Sequence, residues 1–248
     1  DPATMKRIKK PLKPGQTEAV IETLRKYDVW ILGFFIAGFH FQTIEDILKS
    51  HEYAGNLDLD WRGFYQFTPL PATEDYDTCV AKKYIQDYMT MDGEYSENMI
   101  SLSTENFTSD QVLESNYRAN LRYNFLENRN LHINPQQALR DFNYILDLYG
   151  DHAIGHYARA VALKNLGKAE QAVKALRTAR DLVKQSDAVG TNRFSSNIQT
   201  LDTDLNWGDY FKSFRVDLDR EIEEFSVANF RFHLLRRAGD RAWIPPYD

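Results

Sequence analysis

Histidines, one cysteine and closely spaced carboxylates are the side chains with which this chain could do chemistry. His152 and His156 stand four residues apart, a helical spacing that can present two imidazoles to one metal ion, but no glutamate accompanies them as in an HExxH zinc site. We read both as structural. His40 follows a long apolar run, at the carboxyl end of what patterns as a buried strand, and open α/β sheets and barrels place their sites there. A structural loop histidine is the competing reading. Cys79 has no evident histidine partner and reads as an inert thiol. Asp58 and Asp60, like Asp202 and Asp204, lack the glycine and the spaced oxygen ligands of a calcium loop, so caps and turns account for them. Lys6, Arg7, Lys9, Lys10 and Lys13 could meet phosphate, yet no aromatics interleave them, and a solvated helix face is the simpler account.

Composition narrows the classes. The 248 residues carry a net charge of -6 and are 43% hydrophobic, an acidic globular composition that does not point to nucleic acid as a partner. The longest apolar run, 29–39, is broken by Gly33 and Gly38 and is too short to span a membrane. A single cysteine excludes an internal disulfide and a Cys-only metal site, and a reducing, cytoplasmic setting is expected. No secretory signal pattern opens the chain. It begins with Asp1, and Met5 lies within a helix-like segment, so a piece of a longer polypeptide is expected.

The elements that must position these residues follow from periodicity. Residues 16–27 predict an amphipathic helix with Ala19, Val20, Thr23, Leu24 and Tyr27 on its apolar stripe. The run 29–39 is apolar at both parities, as in a parallel strand covered on both faces. Thr43 can cap the next helix, with Glu45 and Asp46 in its first turn, and a second strand follows, ended by Pro69 and Pro71. Helix, strand, helix, strand is α/β grammar with right-handed parallel crossovers. Two strands are too few for a sheet, so most of a larger α/β unit is expected to be missing on the N-terminal side.

Beyond Pro71 the pattern becomes all-α. Helices are expected over 75–89 and 109–128. Ala138, Phe142 and Ile145 recur as Ala172, Leu176 and Ala179, at about the 34-residue period of a tetratricopeptide repeat, with HYARAVALKNLG between them as the second helix of a hairpin. Two merely similar helical hairpins are the alternative. Three helix-like stretches are expected in the tail, 202–248. The organisation is therefore 1–76, βα units; 77–131, a helical linker region; 132–187, tetratricopeptide-like hairpins; and 188–248, C-terminal helices and tail.

Three blocks carry a family resemblance: ATMKRIKKPLKPGQTEAVIETLRKYDVWILGFFIAGF, the helix opening TIEDI, and LDLDWRGFYQFTPLPATEDYD. In order and spacing, residues 1–76 resemble the last part of a radical S-adenosylmethionine (SAM) barrel. The region after them resembles the extension of radical SAM proteins that carry an N-terminal cobalamin-binding domain. The resemblance implies a partial radical SAM (βα) barrel remnant of two strands, followed by a helical, tetratricopeptide-like region. It implies that Gly33, Ile36 and Gly38 lie near the adenine of SAM, with His40, Gln66 and Thr68 at the same mouth. The parent's cofactors would be SAM and a 4Fe-4S cluster, with cobalamin in the cobalamin-dependent members.

Two departures from that pattern stand out. The usual Pro-Gly-Glu-Thr after the strand is His40-Phe41-Gln42-Thr43 here, and the cluster-binding CxxxCxxC is absent. The leading expectation is thus the C-terminal portion of a radical SAM enzyme, acting by radical or methyl-transfer chemistry on a small-molecule substrate, with its cluster ligands in the missing N-terminal part of the same polypeptide. Its rival is a non-enzymatic helical-repeat module that binds a protein partner. A small complete hydrolase finds no paired nucleophile and base to support it.

Overall fold

A computed structural model describes residues 2–10, 12–13, 15–85 and 102–188. The expectations for Asp202, Asp204 and the tail 188–248 concern, beyond Ala188, residues outside this set, as does the predicted helix beyond residue 85. The chain divides into two compact units, the first running to Asn120 and the second beginning at Leu121.

The first unit opens with a short helix α1, Pro2–Arg7, and then α2, Gln16–Arg25. Strand β1, Leu32–Ala37, pairs in parallel with β2, Trp61–Gln66, through the crossover helix α3, Ile44–Asn56. Thr43 caps α3 as foreseen. Its hydroxyl accepts from Asp46 N at 3.2 Å while the Asp46 carboxylate accepts from Thr43 N at 2.9 Å, a reciprocal box. The other end of α3 is closed by Arg62 on β2, which donates to Ala54 O at 2.7 Å and Leu57 O at 2.6 Å. A guanidinium thus satisfies carbonyls that the helix leaves without partners.

The strand faces differ sharply. In register, Phe35 lies beside Phe64 and their rings stack at 5.7 Å; His51 of α3 meets Phe64 edge-on at 5.1 Å. Ala37 joins Ile47, Cys79, Leu102, Phe107 and Val112 in one buried cluster. That cluster draws on α4, Glu74–Ala81, and α5, Ser109–Asn120, so the helical stretch after Pro71 shares a core with the strands. A second cluster unites Ile21, Ile31, Leu57 and Leu59. The predicted stripe of α2 is therefore displaced: Ile21 is buried, whereas Val20 and Tyr27 are exposed. The packing of Ile21 and Leu24 against Ile31, Leu57 and Leu59 sets which face goes in.

On the opposite face of the sheet Phe34 is 50% and Ile36 54% exposed. The expectation of helices on both faces of this strand is not met among the described residues. The Phe34 ring lies 5.7 Å from that of Tyr65, which folds over Gly63, so the uncovered face is aromatic and apolar. No further strand pairs with β1 or β2 among the described residues.

The second unit is helical: a π-helical segment Leu121–Leu126, then α6, Asn130–Ile133, α7, Pro135–Leu148, α8, Ala153–Asn165, and α9, Ala169–Ala188. The residues of the suspected repeat, Ala138, Phe142 and Ile145 on α7 and Ala172, Leu176 and Ala179 on α9, are all buried. Small side chains let helices approach closely at such positions. Gly167, at φ 73° just past the end of α8, supplies the left-handed residue that stops the helix. No helix among the described residues is long and apolar enough to cross a membrane.

Candidate functional site at the strand ends

Parallel strands end on the same side, and here the ends of β1 and β2 meet directly. Phe67 N donates to Ala37 O at 2.7 Å, and the Phe67 ring stacks on Phe39 at 4.4 Å. Gly38 and His40 on one chain segment, and Gln66 and Thr68 on the other, flank this junction.

The turn after β1 is held from within. Gly38 takes φ 86°, a left-handed conformation that favours glycine, and the side-chain oxygen of Gln42 accepts from Gly38 N at 2.9 Å and Phe39 N at 3.0 Å. Gln42 is 2% exposed. It occupies the position where the resemblance led us to look for glutamate, and its neutral carbonyl serves the two backbone donors without burying a charge.

His40 is also buried. Its Nε2 lies 3.1 Å from Asp75 Oδ1 on α4, and its Nδ1, out of water, has no hydrogen-bond partner among the described residues. Phe41 meets the His40 ring edge-on at 5.3 Å, and the Arg7 guanidinium lies over the Phe41 ring at 3.9 Å. Lys9 pairs with Glu74 at 2.8 Å, so part of the basic run docks α1 beside the first turn of α4. The Glu105 carboxyl is held below the usual carboxylate range, chiefly by the Tyr84 hydroxyl and then by a backbone N–H, with the charge of Lys82 adding to them. Gln66 donates to Ser109 Oγ at 3.0 Å.

The glycines are occupied differently from a simple cofactor cradle. A Cβ on Gly33 would come within 2.6 Å of Leu59 Cδ1, and one on Gly38 within 2.9 Å of Val112 Cγ1. The space beside both is filled by this chain's own core. Ile36 alone of the three presents its side chain on the open face, because strand parity sends residues 33 and 36 to opposite sides.

The remaining candidates are structural. His152 caps α8 by accepting from Gly155 N at 2.8 Å and stacks on Phe125, while His156 bonds Gly150 O at 2.9 Å. Both belong to the second unit. Asp58 and Asp60 bind Arg25, and Asp60 also accepts from Ile31 N at 2.6 Å. Burial raises the Cys79 thiol to about 11. No group of three histidine, cysteine or acidic residues that could hold a metal occurs among the described residues.

Over 112 residues the chain is 29% identical to an uncharacterized methyltransferase of Pyrococcus horikoshii. The match covers 45% of this chain and 24% of that protein. The chain thus spans about a quarter of that relative's length. No protein-family model and no solved structure matches the chain.

Three residues at the strand ends were not singled out by the sequence: Asp75, Ser109 and the buried oxygen of Gln42. Asp75 had a weak signal in the TPLPATEDYD turn, where Thr73 caps α4 by accepting from Tyr76 N and places acidic side chains in the first helical turn. Ser109 had none, since its role depends on α5 arriving beside β2.

Proposed function

We propose that this chain is the C-terminal portion of a radical SAM enzyme, two βα units of its barrel followed by a tetratricopeptide-like helical extension. Its activity is SAM-dependent radical or methyl transfer to a small-molecule substrate. One observation carries the reading: consecutive parallel strands joined by a helix, with helices on one face and Phe34 and Ile36 bare on the other. A βα barrel has this arrangement with its helices outside, and the bare face is the one that closure turns inward. The similarity to a protein named as a methyltransferase supports SAM as the cofactor.

The residues present fit SAM in part. Ile36 can cover a flat apolar ring, and the strand ends offer the polar groups of His40, Gln66 and Thr68. They do not fit an iron–sulfur cluster, because the lone cysteine is buried in the core. Cluster and cobalamin ligands belong to the part of the polypeptide that completes the barrel.

The test is anaerobic reconstitution of the full-length polypeptide with iron and sulfide, followed by reduction in the presence of SAM. Formation of deoxyadenosine or a methylated product, together with cluster absorption, is expected. A full-length chain without a CxxxCxxC motif that binds no SAM would favour the rival, a helical-repeat interaction module built on the second unit.

A further inference from the structure

Three buried histidines expose a chemical difference. His40, His51 and His156 each have a buried Nδ1 without a hydrogen-bond partner among the described residues. His51 bonds the neutral side-chain oxygen of Asn116 at 2.8 Å, and His156 bonds a backbone carbonyl. His40 alone among these three is paired with a carboxylate, and it alone sits at the end of a parallel strand.

A carboxylate can only accept from His40 Nε2, so in the neutral ring Nε2 carries the proton and Nδ1 presents a lone pair. A buried polar atom left unsatisfied calls for an explanation, and a donor supplied by a ligand is one such explanation. Gln42 fixes the backbone on both sides of Phe39, so the ring is held by its own turn as well as by Asp75. Among the described residues, Asp75 from α4 and Glu105 from the segment before α5 act on it, with Arg7 of α1 beyond Phe41 and Lys9, paired with Glu74, near Asp75. The carboxylate in direct contact, Asp75, suits a ring that must become positively charged for a time.

We propose that Asp75 and His40 form an acid–base dyad, in which His40 Nδ1 accepts a proton from an N–H or O–H of the ligand held at the strand ends. The proton passes to Nδ1, the electron pair stays on the ligand's nitrogen or oxygen, and the imidazolium is left facing the Asp75 carboxylate. Asp75 is a positioning residue, acting through His40. The assignment rests on the reading of the strand ends as a SAM site and adds a proton-transfer role to it.

The experiment is NMR of the histidine-labelled full-length polypeptide, with His40 assigned by its absence in His40→Gln and folding checked by circular dichroism. In the ligand-free protein the neutral ring should be the Nε2–H tautomer. Asp75→Leu removes the acceptor, and should let the Nδ1–H tautomer become populated. Saturating SAM should move the His40 signals. If calorimetry shows SAM binding while those signals stay fixed, or if the ring is the Nδ1–H tautomer, the dyad assignment is overturned. If SAM gives no heat, the proposed function fails, and the dyad is judged separately by the tautomer: a ring that is Nδ1–H in the ligand-free protein, or a tautomer indifferent to Asp75→Leu, overturns it.

Discussion

Val112 on α5 occupies the place where Gly38 would carry a side chain, its Cγ1 only 2.9 Å from a Cβ built there. The end of β1 is therefore locked to α5 at a point where the backbone is already left-handed. Gly38→Ala should destabilise the protein by about 1–3 kcal/mol, from overpacking and the positive φ together. Urea unfolding measures it; an unchanged midpoint would mean that Val112 yields freely.

The open face predicts the opposite response. Phe34 and Ile36 are already half in water, so replacing both with serine should cost under about 1 kcal/mol in the isolated chain. Binding of a hydrophobic dye should fall at the same time. A loss of several kcal/mol in urea unfolding would mean that this face is covered in solution.

His51 should make stability depend on pH. Burial pushes its imidazole down to about 4, against the small upward pull of Asn116. Its folded value lies below the unfolded one, so the unfolded chain binds the proton more readily between the two. The contribution is fully present above about pH 6.5 and is lost as pH falls towards 4, a change of about 3 kcal/mol. Chemical denaturation of wild type and His51→Gln at several pH values checks this, with the variant expected to have a flatter profile.

The raised thiol of Cys79 predicts chemical silence. With its titration near 11 and the side chain in the core, the native protein should react with iodoacetamide about a hundredfold more slowly than the urea-unfolded chain. Alkylation at matching rates would place Cys79 at an accessible surface.

Local signals in the sequence determined a good deal. Thr43 and Asp46 mark the start of α3 because a capping box needs only four consecutive residues. The apolar run and the proline-ended run after it predict β1 and β2, which form as shorter strands, Leu32–Ala37 and Trp61–Gln66, and pair in parallel as the intervening helix requires. The structural character of His152 and Asp60 was also legible, although the partner of Asp60 is Arg25 rather than a turn.

Tertiary structure decided the rest, because the deciding contacts join residues distant along the chain. An apolar strand reads alike whether one face or two are covered, so only the positions of α2 and of the 57–59 segment show that Phe35 is inside and Phe34 is not. Glycine likewise reads as room for a ligand until the neighbours are placed. Leu59 and Val112, arriving from other elements, fill that room at Gly33 and Gly38. The pairing of His40 with Asp75 spans 35 residues and depends on α4 docking at the end of β1. No local period encodes such a meeting, since side-chain chemistry at one site is set by whichever helices the core draws together.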